Sequence, residues 1–288
     1  MQSDDATPER RAAVEFLRLM LARLEAGSVE LPAFPQVVIQ VQDVLRNPNY
    51  SMQMIVRPIS ADPTLAARLL NMANSNAFNA TGRVIIDLGV ALTRLGAQKV
   101  YSVVLAHAIH DIRRIESLRS MARPLDELWA DSVAVAHFCD ALAKRLKLGM
   151  PDAFAAGLLH RVGHLYILVQ LARLEESRRR IPLGKDLLDA WHPTIAKAVL
   201  KNWHVNAAVC EAVGMQSEVL ALSSGAPTLT DVLIVGIRLA SRMINSSDTS
   251  SLSSGGALAR LNLSIEECRS LISDAEPEVR ALARALRS

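Results

Sequence analysis

The chain consists of segments in which apolar residues recur every three or four positions, separated by short polar connections. This spacing places the apolar side chains on one face of a helix. Residues that can cap a helix stand before several of these segments, among them Thr7, Ser51, Asp62 and Asp87. The pattern therefore predicts helices along most of the chain and an all-α fold.

Proline and a capping box indicate further helix starts. Proline is accepted in the first turn of a helix but removes a backbone hydrogen bond further along. We therefore expect helices to begin near Pro124, Pro151, Pro193 and Pro277. The sequence Ser-Ile-Glu-Glu at residues 264–267 has the spacing of a capping box and predicts one more start.

The predicted helices fall into two lobes and a tail. Arginines at positions 113, 114, 119 and 123 mark a charged connection, so we place residues 1–120 in an N-terminal lobe and residues 121–245 in a second lobe. Residues 246–256 are rich in Ser and Gly, which is typical of a flexible linker. Residues 257–288 form a helical tail that can dock on the same chain, pair with another chain or join a further domain.

Composition supports a helical protein and excludes several classes. Half of the 288 residues are hydrophobic and 4% are aromatic, a balance that favours helices over sheets. The net charge of +3 gives no large electrostatic footprint, so no nucleic-acid partner is expected. The N-terminus lacks the pattern of a signal peptide and no apolar run reaches the length of a membrane span. We expect a cytoplasmic protein without a membrane partner.

The three cysteines do not indicate a cross-linked or metal-bound framework. Cys139, Cys210 and Cys268 are odd in number and far apart in the sequence. This spacing fits neither a set of disulfides nor a Cys-x-x-Cys metal site. We expect reduced, buried thiols.

The segment 150–164 is the strongest candidate for chemistry. The small residues 155–157 would let a neighbouring helix approach closely, and two histidines, His160 and His164, follow four residues apart. If both stay helical they share one face and could bind a metal. Arg161 lies between them, however, and a permanent cation cannot ligate a metal and would repel one. The sequence therefore predicts no metal here.

Four segments resemble known motifs. Leu-Leu-His-Arg-Val-Gly at 158–163 is similar to the Leu-Leu-His-Asp-Ile-Gly motif of the HD phosphohydrolase superfamily, with Arg161 in place of Asp. Residues 31–35, 62–75 and 91–96 resemble motifs of the HDOD family, the HD-related output domains of bacterial signalling proteins. The resemblance implies a two-lobed helical domain whose second lobe is an HD-like helical bundle.

The resemblance also locates the positions at which HD enzymes bind metal. In this chain they are occupied by Asp131, His160, Arg161, Gln216 and Ser241. Only His160 keeps its ligand type, which implies a degenerate site with no metal, no cofactor and no catalytic residue. We predict that Arg161 replaces the charge of the ion and pairs with Asp131 through two parallel hydrogen bonds, with His160 bonded nearby. The alternative is that Arg161 extends into solvent.

Polar residues at the end of the helix that begins at Asp62 have two interpretations. Asn71, Asn74 and Ser75 can bond unpaired carbonyls or the next loop. Alternatively, they form a ligand or partner surface with Arg161 in a cleft between the lobes. His107 and His110, on a later helix, are expected to be structural.

Three functions from different classes remain open. The HDOD resemblance implies a non-catalytic signal-transduction output or adaptor domain, of the response-regulator kind, which binds a protein partner or a small ligand. The alternative is a metal-dependent phosphohydrolase acting on a nucleotide or cyclic dinucleotide, which needs a metal cluster that activates water. A nucleic-acid binder would need a basic helix or an aromatic platform. We expect the first function and no enzymatic activity.

Overall fold

The structure is a computed structural model that describes residues 7–27, 36–75, 78–79, 82–113, 118, 121–150, 152–174, 183–217, 225–244 and 256–285. No strand occurs among these residues, which confirms the predicted all-α fold. Their helices are α1 (Pro8–Glu25), α2 (Gln36–Arg46), α3 (Met52–Ser60), α4 (Pro63–Ala73), α5 (Leu88–Leu95), α6 (Ala97–Arg113), α7 (Ala122–Arg145), α8 (Ala153–Leu159), α9 (Val162–Arg173), α10 (Lys185–Asn202), α11 (Ala207–Gly214), α12 (Leu229–Ile244), α13 (Gly256–Arg260) and α14 (Ile265–Ala285).

The helices group into two compact units. One unit, Met1–Leu31 with Ile115–Glu276, contains α1, α7–α13 and most of α14; we call it the HD-like unit because it includes the segment 158–163 that resembles the HD motif. The other, the 32–114 unit, contains α2–α6 with the end of α14. This grouping differs from the predicted lobes in placing α1 with the later helices. The reason is that α1 runs along α10: Arg10 bonds Asp186 at 2.8 Å near the two helix starts, and Asn202 bonds the carbonyl of Leu24 at 3.0 Å near the two ends.

Two glycines let the helices of the HD-like unit touch at the level of the main chain. A Cβ on Gly157 of α8 would lie 2.6 Å from the Cα of Ala136 in α7. This close approach confirms the role predicted for the small residues of α8. A Cβ on Gly163 of α9 would overlap the carbonyl oxygen of His192 in α10. The separation of these helix pairs is therefore set by backbone contact.

The predicted central helix is interrupted at the motif. α8 ends at Leu159, His160 and Arg161 form a turn, and α9 begins at Val162. His160 and His164 therefore do not share one continuous helical face. The stretch Ala153–Arg173 is long and apolar enough in composition to cross a membrane, but 78% of its most apolar 18-residue window is buried within the fold. The apolar residues of α8 and α9 therefore belong to the core of the fold.

Two proline predictions are wrong. α10 begins at Lys185 and α14 at Ile265, so Pro193 and Pro277 lie inside helices. A proline there removes one backbone hydrogen bond, which α10 tolerates because its flanking residues pack into the core. Pro124 lies in the first turn of α7 as expected, whereas Pro151 lies outside the described residues.

The tail docks on the HD-like unit through a buried ion pair. Asp231 of α12 is completely buried, and its Oδ1 accepts hydrogen bonds from Nε of Arg260, at 3.0 Å, and from its Nη2. Its Oδ2 accepts bonds from the backbone N–H and the hydroxyl of Thr228. Each carboxylate oxygen thus has donors of its own, and α13 is held against α12. The start of the tail therefore docks on the same chain, the first of the three roles considered for it.

The helix starts around the tail follow capping chemistry. Thr228 precedes α12, and its hydroxyl oxygen accepts a hydrogen bond from the backbone N–H of Asp231 at 3.2 Å. The capping box before α14 is confirmed, since Glu267 accepts from Ser264 and Ser264 accepts from the N–H of Glu267.

Most of the predicted linker, residues 246–255, lies outside the described residues, and Gly256 belongs to α13.

Asp62 connects two helices of the 32–114 unit. Its Oδ1 caps α4 by accepting from the backbone N–H groups of Thr64 and Leu65, each at 3.0 Å. Its Oδ2 lies 2.8 Å from Nε2 of His107, a buried residue of α6. His110 lies 3.3 Å from the Arg68 guanidinium. Both histidines therefore make the structural contacts predicted for them.

Candidate functional site

Four of the five HD positions lie at the junction of α7, α8, α9 and α11. Asp131 projects from α7, and His160 and Arg161 form the turn between α8 and α9. Gln216 follows α11 and donates to the carbonyl oxygens of His160, at 3.0 Å, and Val213. Ser241 lies near the end of α12 and takes no part in the hydrogen bonds between these described residues.

Arg161 bonds Asp131, as the sequence predicts, but not in the predicted geometry. Its Nε lies 2.8 Å from Oδ2 of Asp131, while its Nη1 lies 3.7 Å from Oδ1 of Asp189 in α10. The expectation of two parallel bonds to one carboxylate is wrong, because the guanidinium is shared between two carboxylates. His160 is buried; its Nδ1 lies 2.7 Å from the carbonyl of Gly157.

The surroundings of Asp131 favour its charged form. Burial alone would raise the pKa of Asp131, but the proximity of His160, whose Nε2 lies 3.5 Å from Oδ2, and then the charge of Arg161 outweigh burial and hold this pKa well below its ordinary value. We attribute the shift chiefly to Arg161, since a guanidinium is charged at every relevant pH whereas an imidazole is not. Asp131 is therefore an anion bound to a fixed cation.

The residues at the HD positions do not fit a metal ion. A guanidinium cannot ligate a cation, and the side-chain amide nitrogen of Gln216 is directed at backbone carbonyls. The remaining carboxylate, Asp131, already bonds Arg161. Only His160 keeps the residue type that HD enzymes have at the same position, and one ligand does not make a metal site.

A second cluster lies beside these positions. His164 of α9 and His192 of α10 have ring centroids 4.0 Å apart, and Nε2 of His164 lies 3.6 Å from Oδ1 of Asp189. One donor atom from each of the three residues lies within 4.8 Å of the others. The structure thus brings two imidazoles and a carboxylate together, and Arg161 links this cluster to Asp131.

Both imidazoles of the cluster are held neutral. Burial, followed by the charge of Arg161, lowers the pKa of His164 to about 3. Burial, followed by the proximity of His164 and Arg161, lowers the pKa of His192 to about 2. The buried positive form is disfavoured in each case because low-dielectric surroundings and a neighbouring cation both oppose it.

The cluster was not predicted from the sequence, because the start of α10 was expected further along the chain. The helix was predicted to begin at His192-Pro193, which left Asp189 outside it. In the structure Asp189 and His192 lie three residues apart within α10 and share one face. The Asp-x-x-His spacing was visible in the sequence, but its partner His164 comes from a different helix.

The predicted polar surface at the end of α4 consists largely of structural contacts. The Asn74 amide group donates to the carbonyls of Leu70, at 2.9 Å, and Ile85, at 2.8 Å, and its oxygen accepts from the N–H of Ile85 at 2.7 Å. Ser75 donates to the carbonyl of Met72. Asn74 therefore joins α4 to the next loop, the first of the two predicted interpretations. A cleft formed by Asn71, Asn74, Ser75 and Arg161 stays a prediction.

We expect Arg161→Ala to lower the free energy of unfolding by about 1 to 3 kcal/mol, the range for losing a hydrogen bond to a charged group. The pair is partly exposed, with 28% of the Arg161 side chain and 22% of the Asp131 side chain accessible, so the larger loss of a fully buried pair is not expected. The same substitution made in an Asp131→Ala background should cost much less.

Urea unfolding of the four chains of this double-mutant cycle measures the coupling. Lys144→Ala is the matched control, since Lys144 bonds Asp140 at 2.8 Å on the same helix but with 67% of its side chain exposed. That variant should change stability by less than about 1 kcal/mol. Additive effects of Arg161→Ala and Asp131→Ala would contradict the pairing.

The fold and the site define a helical domain in which an ion pair occupies positions where the HD resemblance implies metal ligands. The family of HDOD domains matches residues 31–219, about two thirds of the chain. The chain therefore belongs to the HDOD domain family. A curated relative, an uncharacterised protein of Treponema pallidum (strain Nichols), is 25% identical over 187 residues. The match covers 61% of this chain but 35% of the relative, so the chain spans about a third of that protein's length.

Solved structures share the fold. A protein of Shewanella amazonensis SB2B, provisionally named a metal-dependent phosphohydrolase, aligns over 96% of this chain and 99% of its own, with a TM-score of 0.67 and 21% identity. A protein of Marinobacter aquaeolei VT8, provisionally named for signal transduction, aligns over 99% of this chain and 68% of its own, with a TM-score of 0.63 and 20% identity. At these identities the likeness establishes the fold and not an activity.

Proposed function

We propose that the chain is a non-catalytic HDOD signalling module that acts by binding a protein partner of a signalling pathway. The observation that carries the proposal is the bond between Arg161 and Asp131 at positions where an HD enzyme binds metal. Hydrolysis of a phosphodiester by an HD enzyme requires a metal that activates water and neutralises the phosphate. Arg161 supplies positive charge there, but a guanidinium cannot lower the pKa of a bound water as a metal does.

Membership of the HDOD family supports the signalling role, and the Marinobacter protein with this fold is named for such a role. The competing function is a metal-dependent phosphohydrolase, which the name of the Shewanella protein suggests. The substitutions at the HD positions weigh against it, because at least two further ligands of the expected type would be needed to hold a catalytic ion.

A hydrolysis assay separates the two functions. Purified protein would be incubated with bis(4-nitrophenyl) phosphate and with a cyclic dinucleotide, in Mg²⁺ or Mn²⁺, beside a His160→Gln variant. We expect wild type and variant to give the same background rate. Metal-dependent turnover that is lost in a folded His160→Gln variant would establish the phosphohydrolase and end the proposal.

Complementation in the host tests the signalling role directly. If the protein acts by binding, a chain carrying His160→Gln should rescue a deletion strain as well as the wild type does. Substitution at the exposed residue Asn71, for example Asn71→Arg, tests whether the predicted cleft contributes to the partner surface. A folded His160→Gln chain that fails to rescue would argue for chemistry at the HD positions.

A further inference from the structure

The cluster of His164, Asp189 and His192 has the composition of a metal site. Asp189 and His192 lie three residues apart on α10, and His164 faces them from α9. One donor atom of each lies within 4.8 Å of the other two. Two imidazoles and one carboxylate form a donor set that suits zinc and neighbouring first-row divalent metals.

The imidazoles also have unused donor atoms. The Nδ1 atoms of His164 and His192 are buried and have no hydrogen-bond partner. The two residues are 7% and 5% exposed, respectively. Buried polar atoms are nearly always bonded, and each exception calls for a physical explanation such as an unseen ion. These two atoms belong to rings whose centroids lie 4.0 Å apart.

We propose that His164, Asp189 and His192 bind one divalent transition metal of the zinc class, with at least one coordination position left open. This site lies beside the HD positions and uses none of them as a ligand. It revises the prediction of a chain without metal, which weighed the HD positions and the pair His160 and His164 but did not consider Asp189 or His192. The site does not require hydrolysis, so it stands or falls separately from the proposed function.

The donors can reach coordination distance. Ligand bonds of about 2.0 to 2.2 Å place the donors of a tetrahedral zinc ion roughly 3.3 Å apart. Nε2 of His164 and Oδ1 of Asp189 lie 3.6 Å apart, and all three donors lie within 4.8 Å of one another. Asp189 can supply the movement, since 46% of its side chain is exposed. The histidines are held by the contact of α9 with α10, where Gly163 meets the main chain of His192.

The charges around the cluster admit a cation. Asp131 and Asp189 carry two negative charges and Arg161 one positive charge, so the group is net negative while the imidazoles are neutral. Arg161 is anchored to Asp131 at 2.8 Å and only approaches Asp189, at 3.7 Å. It therefore competes weakly with a metal for Asp189, and replacing it should strengthen metal binding.

Titration calorimetry of chelator-treated protein with Zn²⁺ tests the site, with Co²⁺ absorption as a second readout. We expect one ion per chain in the wild type. His192→Gln and Asp189→Asn should each weaken binding by more than about 100-fold, since even groups that only support a ligand contribute about 10- to 100-fold. Arg161→Gln should bind more tightly than the wild type.

Asp189→Asn and two control variants allow a loss of metal binding to be separated from a loss of folding. Asp189→Asn changes a half-exposed residue, so it should fold even if His192→Gln does not, and circular dichroism checks each variant. His204→Gln changes an exposed histidine and Cys268→Ala a buried cysteine; both should bind Zn²⁺ as the wild type does. Absence of stoichiometric binding in the wild type would overturn the site, as would equal affinity in a folded Asp189→Asn variant.

Discussion

Arg260→Ala is expected to lower the free energy of unfolding by about 3 to 5 kcal/mol, the cost of leaving a buried charge without its partner. Asp231 is completely buried and Arg260 is 7% exposed at the side chain. Removing the guanidinium leaves Thr228 as the donor to the Asp231 carboxylate among the residues that the structure describes. Equilibrium unfolding in urea, followed by circular dichroism, measures the change.

Removing both members of this pair should be less harmful than the sum of the single changes. The double variant Asp231→Ala, Arg260→Ala no longer buries a charge, although it leaves a cavity between α12 and α13. Arg123→Ala is a matched surface control, because Arg123 bonds Glu127 with 91% of its own side chain exposed; its effect should be below about 1 kcal/mol. A loss of under 1 kcal/mol in Arg260→Ala would show that the tail does not depend on this pair.

Acidification from pH 7 to pH 5 is expected to destabilise the metal-free protein by about 3 to 4 kcal/mol through His164 and His192. Their pKa values in the folded chain, about 3 and about 2, lie below the unfolded value near 6.5. Between these limits the unfolded chain binds protons that the folded chain excludes. Stability is therefore complete above pH 6.5 and falls as pH drops, by up to about 1.4 kcal/mol per pH unit for each histidine.

Urea unfolding at intervals between pH 7 and pH 5, in the presence of a chelator, measures this slope. The double variant His164→Gln, His192→Gln should be less stable at pH 7 but should lose little more on acidification. His204→Gln, which changes an exposed histidine, should keep the slope of the wild type. A wild-type stability that is flat over this range would mean that the two rings do not stay neutral.

Helix starts were predictable where a side chain bonds the backbone next to it. Thr7, Asp62, Asp87 and Ser264 cap helices through hydrogen bonds that span two or three residues, and such bonds depend on local sequence. Pro193 misled the prediction because its tolerance inside α10 depends on packing against other helices. Local preference yields to tertiary contacts in such cases.

The pair of Asp131 and Arg161 was predictable from the sequence, but its surroundings were not. The resemblance supplied the positions of Asp131 and Arg161, and charge complementarity supplied their pairing. Neither could reveal that Arg161 also reaches Asp189, because that contact depends on how α10 is placed beside α9. The cluster with His164 and His192 was hidden by the same long-range packing.

In the 32–114 unit, Asp62 makes both a local contact, as the cap of α4, and a contact distant in sequence, with His107 of α6. One carboxylate oxygen starts α4, and the other meets His107, which lies 45 residues further along the chain. The first set of bonds can form as soon as the helix nucleates, whereas the second forms only when α6 has arrived. Because both depend on the same charged group, the start of α4 is fully secured only in the assembled unit. The capping of α4 and the docking of α6 therefore stabilise each other through one carboxylate.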